Sequence, residues 1–145
     1  MKTINYFFEN TKNRKHQLPP KKWIKKCLAK EKRLAGCINF IFCSDPYLQK
    51  INKQYLKKSD LTDVIAFHYN RSAFMKKNTP SEVFGDIFIS LDRVKENKNT
   101  YKAIFSKEIQ RVMIHGVLHL VGYNDKTAKE KEIMTLKENL YLSFK

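Results

Sequence analysis

Two histidines lie four residues apart in the most apolar stretch of the second half of the chain, residues 112–125, which reads V-M-I-H-G-V-L-H-L-V-G-Y-N-D. On a helix this spacing places both side chains on one face, about 6 Å apart along the axis. The imidazoles of His115 and His119 are therefore able to bind one transition-metal ion. Gly122 follows where such a helix would end, because glycine tolerates the conformation that reverses the chain. A reversal there would bring the carboxylate of Asp125 to the same ion.

The three residues predict a catalytic rather than a structural metal site, because three protein ligands leave a coordination position for water. In its metal positions the spacing matches the protease pattern H-E-x-x-H-x-x-G-x-x-H. Gly116 stands where that pattern has the glutamate that acts as general base, which argues against peptidase chemistry. The alternative interpretation is a buried core helix that carries two hydrogen-bonded histidines.

These residues resemble the signature H-G-x-L-H-L-x-G-Y-D-H of the YbeY family, and three further stretches stand in that family's order and approximate spacing. They are residues 51–55 (I-N-K-Q-Y), 62–67 (T-D-V-I-A-F) and 85–90 (G-D-I-F-I-S). The resemblance extends over about residues 35–140. It implies a single-strand-specific, metal-dependent endoribonuclease that matures the 3′ end of 16S ribosomal RNA and takes part in ribosome quality control. The implied partners are ribosomal RNA and the ribosomal subunit.

The chain departs from the family pattern at two points. Asp125 stands where most members have the third histidine, and Asn124 precedes it where they have aspartate. Because Asp125 would bind through oxygen, the choice of metal widens from zinc toward manganese. Leu56 stands at the position of an arginine that is usually assigned a role in activity, which leaves the general acid and base unassigned. We expect one zinc ion per chain.

Thr62, Asp63 and Asp86 fall on the family motifs and are candidates for the cleft or for the second layer around the metal. A carboxylate at such a position is able to hold a metal-binding histidine by its other ring nitrogen. The alternative is that Thr62 and Asp63 stabilise a turn and that Asp86 pairs with the backbone or a lysine. His68, on a predicted strand, and His16, in a basic loop, have no partner at metal spacing and are not expected to bind the ion.

The formal net charge of +15 favours a polyanionic partner, with nucleic acid first and a membrane surface second. Lysines on the outer face of a predicted helix over residues 21–34 are candidates for RNA contact, namely Lys21, Lys22, Lys25 and Lys26. The pair Lys57 and Lys58 is a further candidate. A solvated face is the alternative in both places. A non-catalytic, metal-stabilised assembly factor that binds RNA stays open as a second function, and a metallohydrolase of another substrate as a third.

The three cysteines include no C-x-x-C pair, and neither a signal peptide nor an apolar run of about 18 residues is evident. We therefore expect a reduced, cytoplasmic protein with no membrane segment. Nothing in the sequence specifies its oligomeric state.

The hydrophobic pattern predicts an α+β fold in one domain, residues 1–145, with a small mixed four-stranded sheet covered by about five helices. The metal-bearing helix, similar to that of zinc hydrolases, is expected to be buried against the sheet. Predicted strands cover residues 4–9, 37–43, 64–69 and 83–89. Predicted helices begin after Pro20, Ser44, Ser90 and Thr127 and near Ser106, and a long polar connection joins two strands over residues 70–82.

Overall fold

The protein is an α+β structure in which one mixed sheet is covered by helices. The computed structural model describes residues 3–56, 62–68, 82–100 and 104–144. The strands are β1 (Thr3–Glu9), β2 (Leu34–Cys43), β3 (Val64–His68) and β4 (Glu82–Ser90). The α-helices in the described ranges are α1 (Lys21–Lys30), α2 (Asp45–Ile51), α3 (Leu91–Thr100), α4 (Phe105–Val121) and α5 (Ala128–Leu142). Lys57, Lys58, Tyr69 and residues 70–81 of the predicted connection lie outside the described residues.

The four strands form one sheet in the order β1-β2-β4-β3. Three of them run parallel, whereas β3 pairs antiparallel with β4 at one edge. Side chains alternate between the two faces of a strand. On β4, Val83, Ile87 and Ile89 are buried in the main core. Asp86 therefore points to the opposite face, and this alternation decides which polar residues can reach α4.

Helix α4 is buried against the sheet, as the sequence predicts, and ten of its 17 residues are buried. It approaches the sheet closely at Gly116, where an added Cβ atom would lie 2.7 Å from Cγ2 of Ile87 and 3.3 Å from Cγ2 of Val64. At Gly85 of β4, an added Cβ atom would lie 2.7 Å from Cδ2 of Leu120. Gly116 therefore faces the sheet, so a glutamate at this position would meet the core.

The helix starts predicted at Ser44, Ser90 and Thr127 are confirmed. The hydroxyl of Ser44 accepts a hydrogen bond from the N–H of Tyr47, and that of Ser90 accepts one from the N–H of Arg93. Thr127 and Glu130 form a reciprocal capping box. Such caps satisfy backbone donors that have no partner within the helix. Helix α4 instead begins at Phe105, one residue before the predicted start, after Ile104 and without a side-chain cap.

The predicted extent of the first helix is wrong at its C-terminal end, because α1 stops at Lys30 instead of residue 34. Lys32 takes a positive φ of 60° and turns the chain, and Leu34 then pairs with Glu82 at the start of β2. Gly36 lies within β2, where an added Cβ atom would meet the ring of Phe84 at 2.5 Å. Pairing with β4 thus outweighs the helical pattern of these residues.

The apolar residues of α5 predict a buried stripe made of Ile133, Met134, Leu136, Leu140 and Tyr141, and the structure differs from this prediction. Met134, Glu138 and Tyr141 are its buried residues, with spacings of four and three. Ile133, Leu136 and Leu140, expected in the stripe, are exposed, and Leu136 is 63% exposed. The helix therefore turns a carboxylate toward the protein, and this has a direct consequence for the histidines of α4. Within the described residues, none of the helices combines the length and the apolar character that crossing a bilayer requires.

Candidate metal centre

The histidine pair of α4 and the carboxylate that follows it converge on one point. His115 and His119 lie one helical turn apart, with their Nε2 atoms 3.0 Å from each other. Gly122 ends the helix with a φ of 125°, and its N–H donates to the carbonyl oxygens of Leu118 and His119. The chain then returns, so that Oδ2 of Asp125 lies 3.3 Å from Nε2 of His115 and 3.4 Å from Nε2 of His119.

These distances fit the donor set of a transition-metal ion. With bonds of about 2.0–2.1 Å, tetrahedral ligand atoms stand about 3.3–3.4 Å apart. The observed separations of 3.0, 3.3 and 3.4 Å approach that geometry. Among the described residues, these three form the single group of His, Cys, Asp or Glu side chains whose ligand atoms are close enough to hold an ion. All three are partly exposed, so one side of the group faces solvent.

The other ring nitrogen of His115 is held by a buried carboxylate that the sequence analysis missed. Nδ1 of His115 lies 2.7 Å from Oε2 of Glu138, whose side chain is 9% exposed. An ionised carboxylate can only accept, so a neutral His115 ring that donates from Nδ1 would leave Nε2 free to bind metal. Arg111 lies 3.2 Å from Oε1 of Glu138. The sequence signal for this contact is the spacing of Glu138, which lies four residues after Met134 and three before Tyr141, so that all three share one face of a helix.

The two histidines have opposite pKa shifts. Burial by itself would lower the pKa of His115, but the hydrogen bond and charge of Glu138, together with Asp125 and Asp63, raise it above its ordinary value. Burial and the nearby His115 lower the pKa of His119. The negative groups around His115 therefore favour positive charge at this point, whether it is carried by a proton or by a metal ion.

A cleft of about 530 Å³ opens beside His115 and is lined by residues of α3, α4 and α5 and by the residues that lead into β3. Asp63 lines it and accepts a hydrogen bond from the amide of Asn97 at 3.2 Å. Burial raises the pKa of Asp63, and burial likewise raises the pKa of Glu108, whose nearest ion-pair contact is Arg111 at 3.9 Å. The structure thus brings Asp63 to the cleft beside the histidines.

The carboxylate of Glu31 holds the loop that carries Asp125. The side chain of Glu31 is 8% exposed and accepts hydrogen bonds from the hydroxyl of Tyr123 at 2.6 Å and from Nζ of Lys137 at 3.0 Å, and also from the hydroxyl of Tyr141. These bonds outweigh the effect of burial and lower the pKa of Glu31. They connect α1, α5 and the loop after α4. No local pattern predicts this contact, because Glu31 and Tyr123 are 92 residues apart.

The remaining candidates lie apart from the three ligands or show structural contacts. Asp86 points to the other face of the sheet, where it accepts a hydrogen bond from the amide of Asn39 at 3.0 Å. The hydroxyl of Thr62 donates to the carbonyl of Val64 within the turn before β3. His68 contacts the carbonyl of His119 through Nε2 at 3.1 Å and is not part of the ligand group. The lysine candidates of α1 are exposed on its outer face: Lys21, Lys22, Lys25 and Lys26.

On this α+β scaffold, an apolar helix carries two histidines one turn apart, and the chain reversal after it returns a carboxylate, so the three side chains form a group that could hold a metal ion. The profile of the family described as Endoribonuclease YbeY matches residues 6–144. The chain belongs to the YbeY family.

Relatives at similar length support this assignment. The protein named Endoribonuclease YbeY from Karelsulcia muelleri is 44% identical over 141 residues, which cover 97% of this chain and 94% of the relative. The one from Christiangramia forsetii is 41% identical and covers 93% and 89% of the two chains. The solution structure of a Thermotoga maritima protein matches with a TM-score of 0.62 at 26% identity, over 97% of this chain and 87% of the other.

Proposed function

We propose that this protein is an endoribonuclease that cleaves single-stranded regions of ribosomal RNA during maturation of the ribosome. The proposed cofactor is one zinc ion per chain, bound by His115, His119 and Asp125. The observation that carries the proposal is the convergence of two nitrogens and one oxygen at separations of 3.0–3.4 Å on a side open to solvent. The name that the relatives share supplies the reaction class.

A zinc ion in such a site lowers the pKa of a bound water and polarises a phosphoryl oxygen of the substrate. The protein's own residues have to orient the ligands and supply compensating charge. His115 and His119 provide neutral nitrogens, and Asp125 provides an anionic oxygen, which leaves the site one negative charge richer than a set of three histidines. The negative charge of Asp63 in the adjoining cleft also favours a cation at this point.

The site experiment compares zinc content and RNA cleavage in wild type, His115→Ala and His16→Ala proteins prepared in parallel. Wild type should contain about one zinc per chain and cleave single-stranded RNA. His115→Ala should lose both properties, because the remaining two ligands do not hold the ion. His16 is exposed on a short helical turn, so His16→Ala is the matched control. Full zinc occupancy in the His115→Ala protein would refute the ligand assignment.

The same comparison separates an enzyme from a non-catalytic RNA-binding assembly factor. Under the proposal, cleavage disappears with the metal whereas RNA binding persists, because lysines stay charged near neutral pH. If the wild-type protein binds zinc and RNA but does not cleave RNA, the proposed enzymatic function is excluded. Cleavage that survives in the His115→Ala preparation identifies a contaminating ribonuclease.

The exposed lysines of α1 are proposed to contact the RNA backbone. Lys22→Glu with Lys25→Glu should weaken RNA binding and flatten its salt dependence, because fewer counterions are released. The control is Lys50→Glu with Lys53→Glu, which makes the same charge change at exposed positions after β2. If the two double variants weaken binding equally, net charge is the cause and α1 is a solvated face.

The proposed partner is the ribosomal subunit, and the proposed location is the cytoplasm, where ribosomal RNA matures. All three cysteines are free, and Cys27 and Cys43 are buried. Burial raises the pKa of each of these two thiols to about 12, so they remain protonated and unreactive. Free thiols are typical of a reducing compartment.

A further inference from the structure

Glu138 is a buried acidic residue on the inner face of α5, where a surface helix ordinarily places apolar side chains. An ionised carboxylate in such a position is costly unless partners satisfy it. Its two oxygens have different partners: Oε2 lies 2.7 Å from Nδ1 of His115, and Oε1 lies 3.2 Å from Nη1 of Arg111. The arrangement is directional, because one oxygen is held by a cation and the other is aimed at a single ring nitrogen.

The position of Glu138 decides which nitrogen of His115 is available. A neutral imidazole carries one proton, and the nitrogen without it is the metal ligand. With Nδ1–H donating to Glu138, the lone pair of Nε2 faces Nε2 of His119 and Oδ2 of Asp125. The alternative tautomer would leave Nδ1 without a proton opposite a carboxylate and would place a proton at the centre of the ligand group.

Arg111 and the packing of α5 hold Glu138 itself in place. Arg111 also lies 3.9 Å from Glu108 and 3.4 Å from Oδ1 of Asn139, so its guanidinium contacts three side chains. Met134 and Tyr141, buried on either side of Glu138 along α5, keep that face of the helix against the protein. The carboxylate is therefore positioned by elements separate from the loop that carries Asp125.

We propose that Glu138 is a positioning residue for the metal centre: it holds His115 in the tautomer and ring orientation that present Nε2 to the ion, and Arg111 fixes its carboxylate. This inference rests on the proposed zinc site. It assigns a role to a residue 23 positions away from His115 on a different helix. Partners of this kind change metal affinity because they pre-organise the ligand and increase its basicity.

The test measures zinc affinity by competition with a chelating dye in wild type, Glu138→Gln and Glu132→Gln proteins. Glu138→Gln keeps the shape of the side chain and removes its charge, and zinc affinity should fall by about 10–100-fold. Glu132→Gln makes the same chemical change at an exposed position of α5 and should bind zinc like wild type. Equal zinc affinity in the two variants would overturn the inference.

A second measurement can be made on the wild-type protein, so it does not require the Glu138→Gln variant to fold. Nitrogen-15 NMR of zinc-free wild-type protein at alkaline pH, where both rings are neutral, reports which nitrogen of each histidine carries the proton. The inference requires His115 to be protonated at Nδ1, and protonation at Nε2 would overturn it. In Glu138→Gln this preference should be lost or reduced, whereas a residue that only supports folding would leave the tautomer unchanged.

The outcomes also separate this inference from the proposed function. Wild-type protein that does not bind zinc would refute the metal site itself. Zinc binding that is lost in His115→Ala but unchanged in Glu138→Gln would keep the site and refute the positioning role of Glu138.

Discussion

Gly116, where α4 lies close to the sheet, gives a prediction in which helix propensity and steric overlap act in opposite directions on the free energy of unfolding. Replacing a helical glycine by alanine ordinarily stabilises a protein by about 1 kcal/mol through helix propensity. Here the new methyl group would lie 2.7 Å from Cγ2 of Ile87, a side chain with no exposure. Overpacking of a core typically costs about 1–3 kcal/mol. We therefore expect Gly116→Ala to destabilise the protein by up to about 2 kcal/mol.

The branched side chain of Ile87 is the reason that the clash should dominate. Its Cγ2 atom is attached directly to Cβ, and the few χ1 rotamers of a β-branched residue leave little room for it to move aside within the packed core. Cγ2 of Val64 on the neighbouring strand would be only 3.3 Å from the new methyl group. The helix must then move away from the sheet. Because His115 and His119 are on that helix, zinc affinity should also fall in the Gly116→Ala protein.

The assay is urea unfolding in the presence of a chelator, carried out in two backgrounds. In wild type, Gly116→Ala should lower the free energy of unfolding. In an Ile87→Ala background, the clashing Cγ2 atom is absent, so the same substitution should stabilise the protein by about 1 kcal/mol through helix propensity. A double-mutant cycle of this kind isolates the interaction between the two positions. Equal effects of Gly116→Ala in both backgrounds would refute the steric argument.

Three further predictions concern the structures around the ligands. Gly122→Ala should destabilise the protein by about 1–3 kcal/mol, measured by urea unfolding, because a φ of 125° strains any side chain although no atom lies within 4 Å of the added Cβ. Thr127→Ala should cost about 1 kcal/mol by loss of the α5 cap, whereas Thr127→Ser should retain most of the stability in the same urea assay. Glu31→Gln should cost about 1–3 kcal/mol near neutral pH. The pKa of Glu31 is lower in the folded protein than its ordinary value of 4.5. The carboxylate therefore stabilises the fold fully above pH 4.5, and this stabilisation is lost as the pH falls through the lower pKa of the folded state. The stability difference between wild type and Glu31→Gln should therefore shrink on acidification, and a difference that grew instead would contradict this reasoning.

The chain belongs to the YbeY family, but the proposed ligand set differs from the family signature, because Asp125 stands where the signature has a third histidine. In the structure its carboxylate reaches both imidazoles at nearly equal distances, 3.3 and 3.4 Å. Asp125→His would restore the family pattern. Comparing the zinc and manganese affinities of the two proteins would show whether the oxygen ligand widens the choice of metal.

The sequence by itself determined the features that depend on neighbouring residues. Four residues between His115 and His119 place both on one helical face whatever surrounds the helix. Gly122 marks the reversal that carries Asp125 back, and Thr127 with Glu130 specifies the start of α5, because capping and turn formation are local. The alternation and clustering of apolar residues also predicted four strands and the burial of α4.

Only the tertiary structure decided which groups complete the site. Periodicity shows which residues share a face but not which face meets the protein. Glu138 shares a helical face with Met134 and Tyr141, but only the structure shows that this face is turned inward and that Leu136 is turned outward. Asp86 falls on a family motif, but the pleat of β4 turns it away from α4. Glu31 reaches Tyr123 across 92 residues only because α1 ends early and packs beside α5. Such contacts arise from the packing of distant elements, and no local pattern encodes that packing.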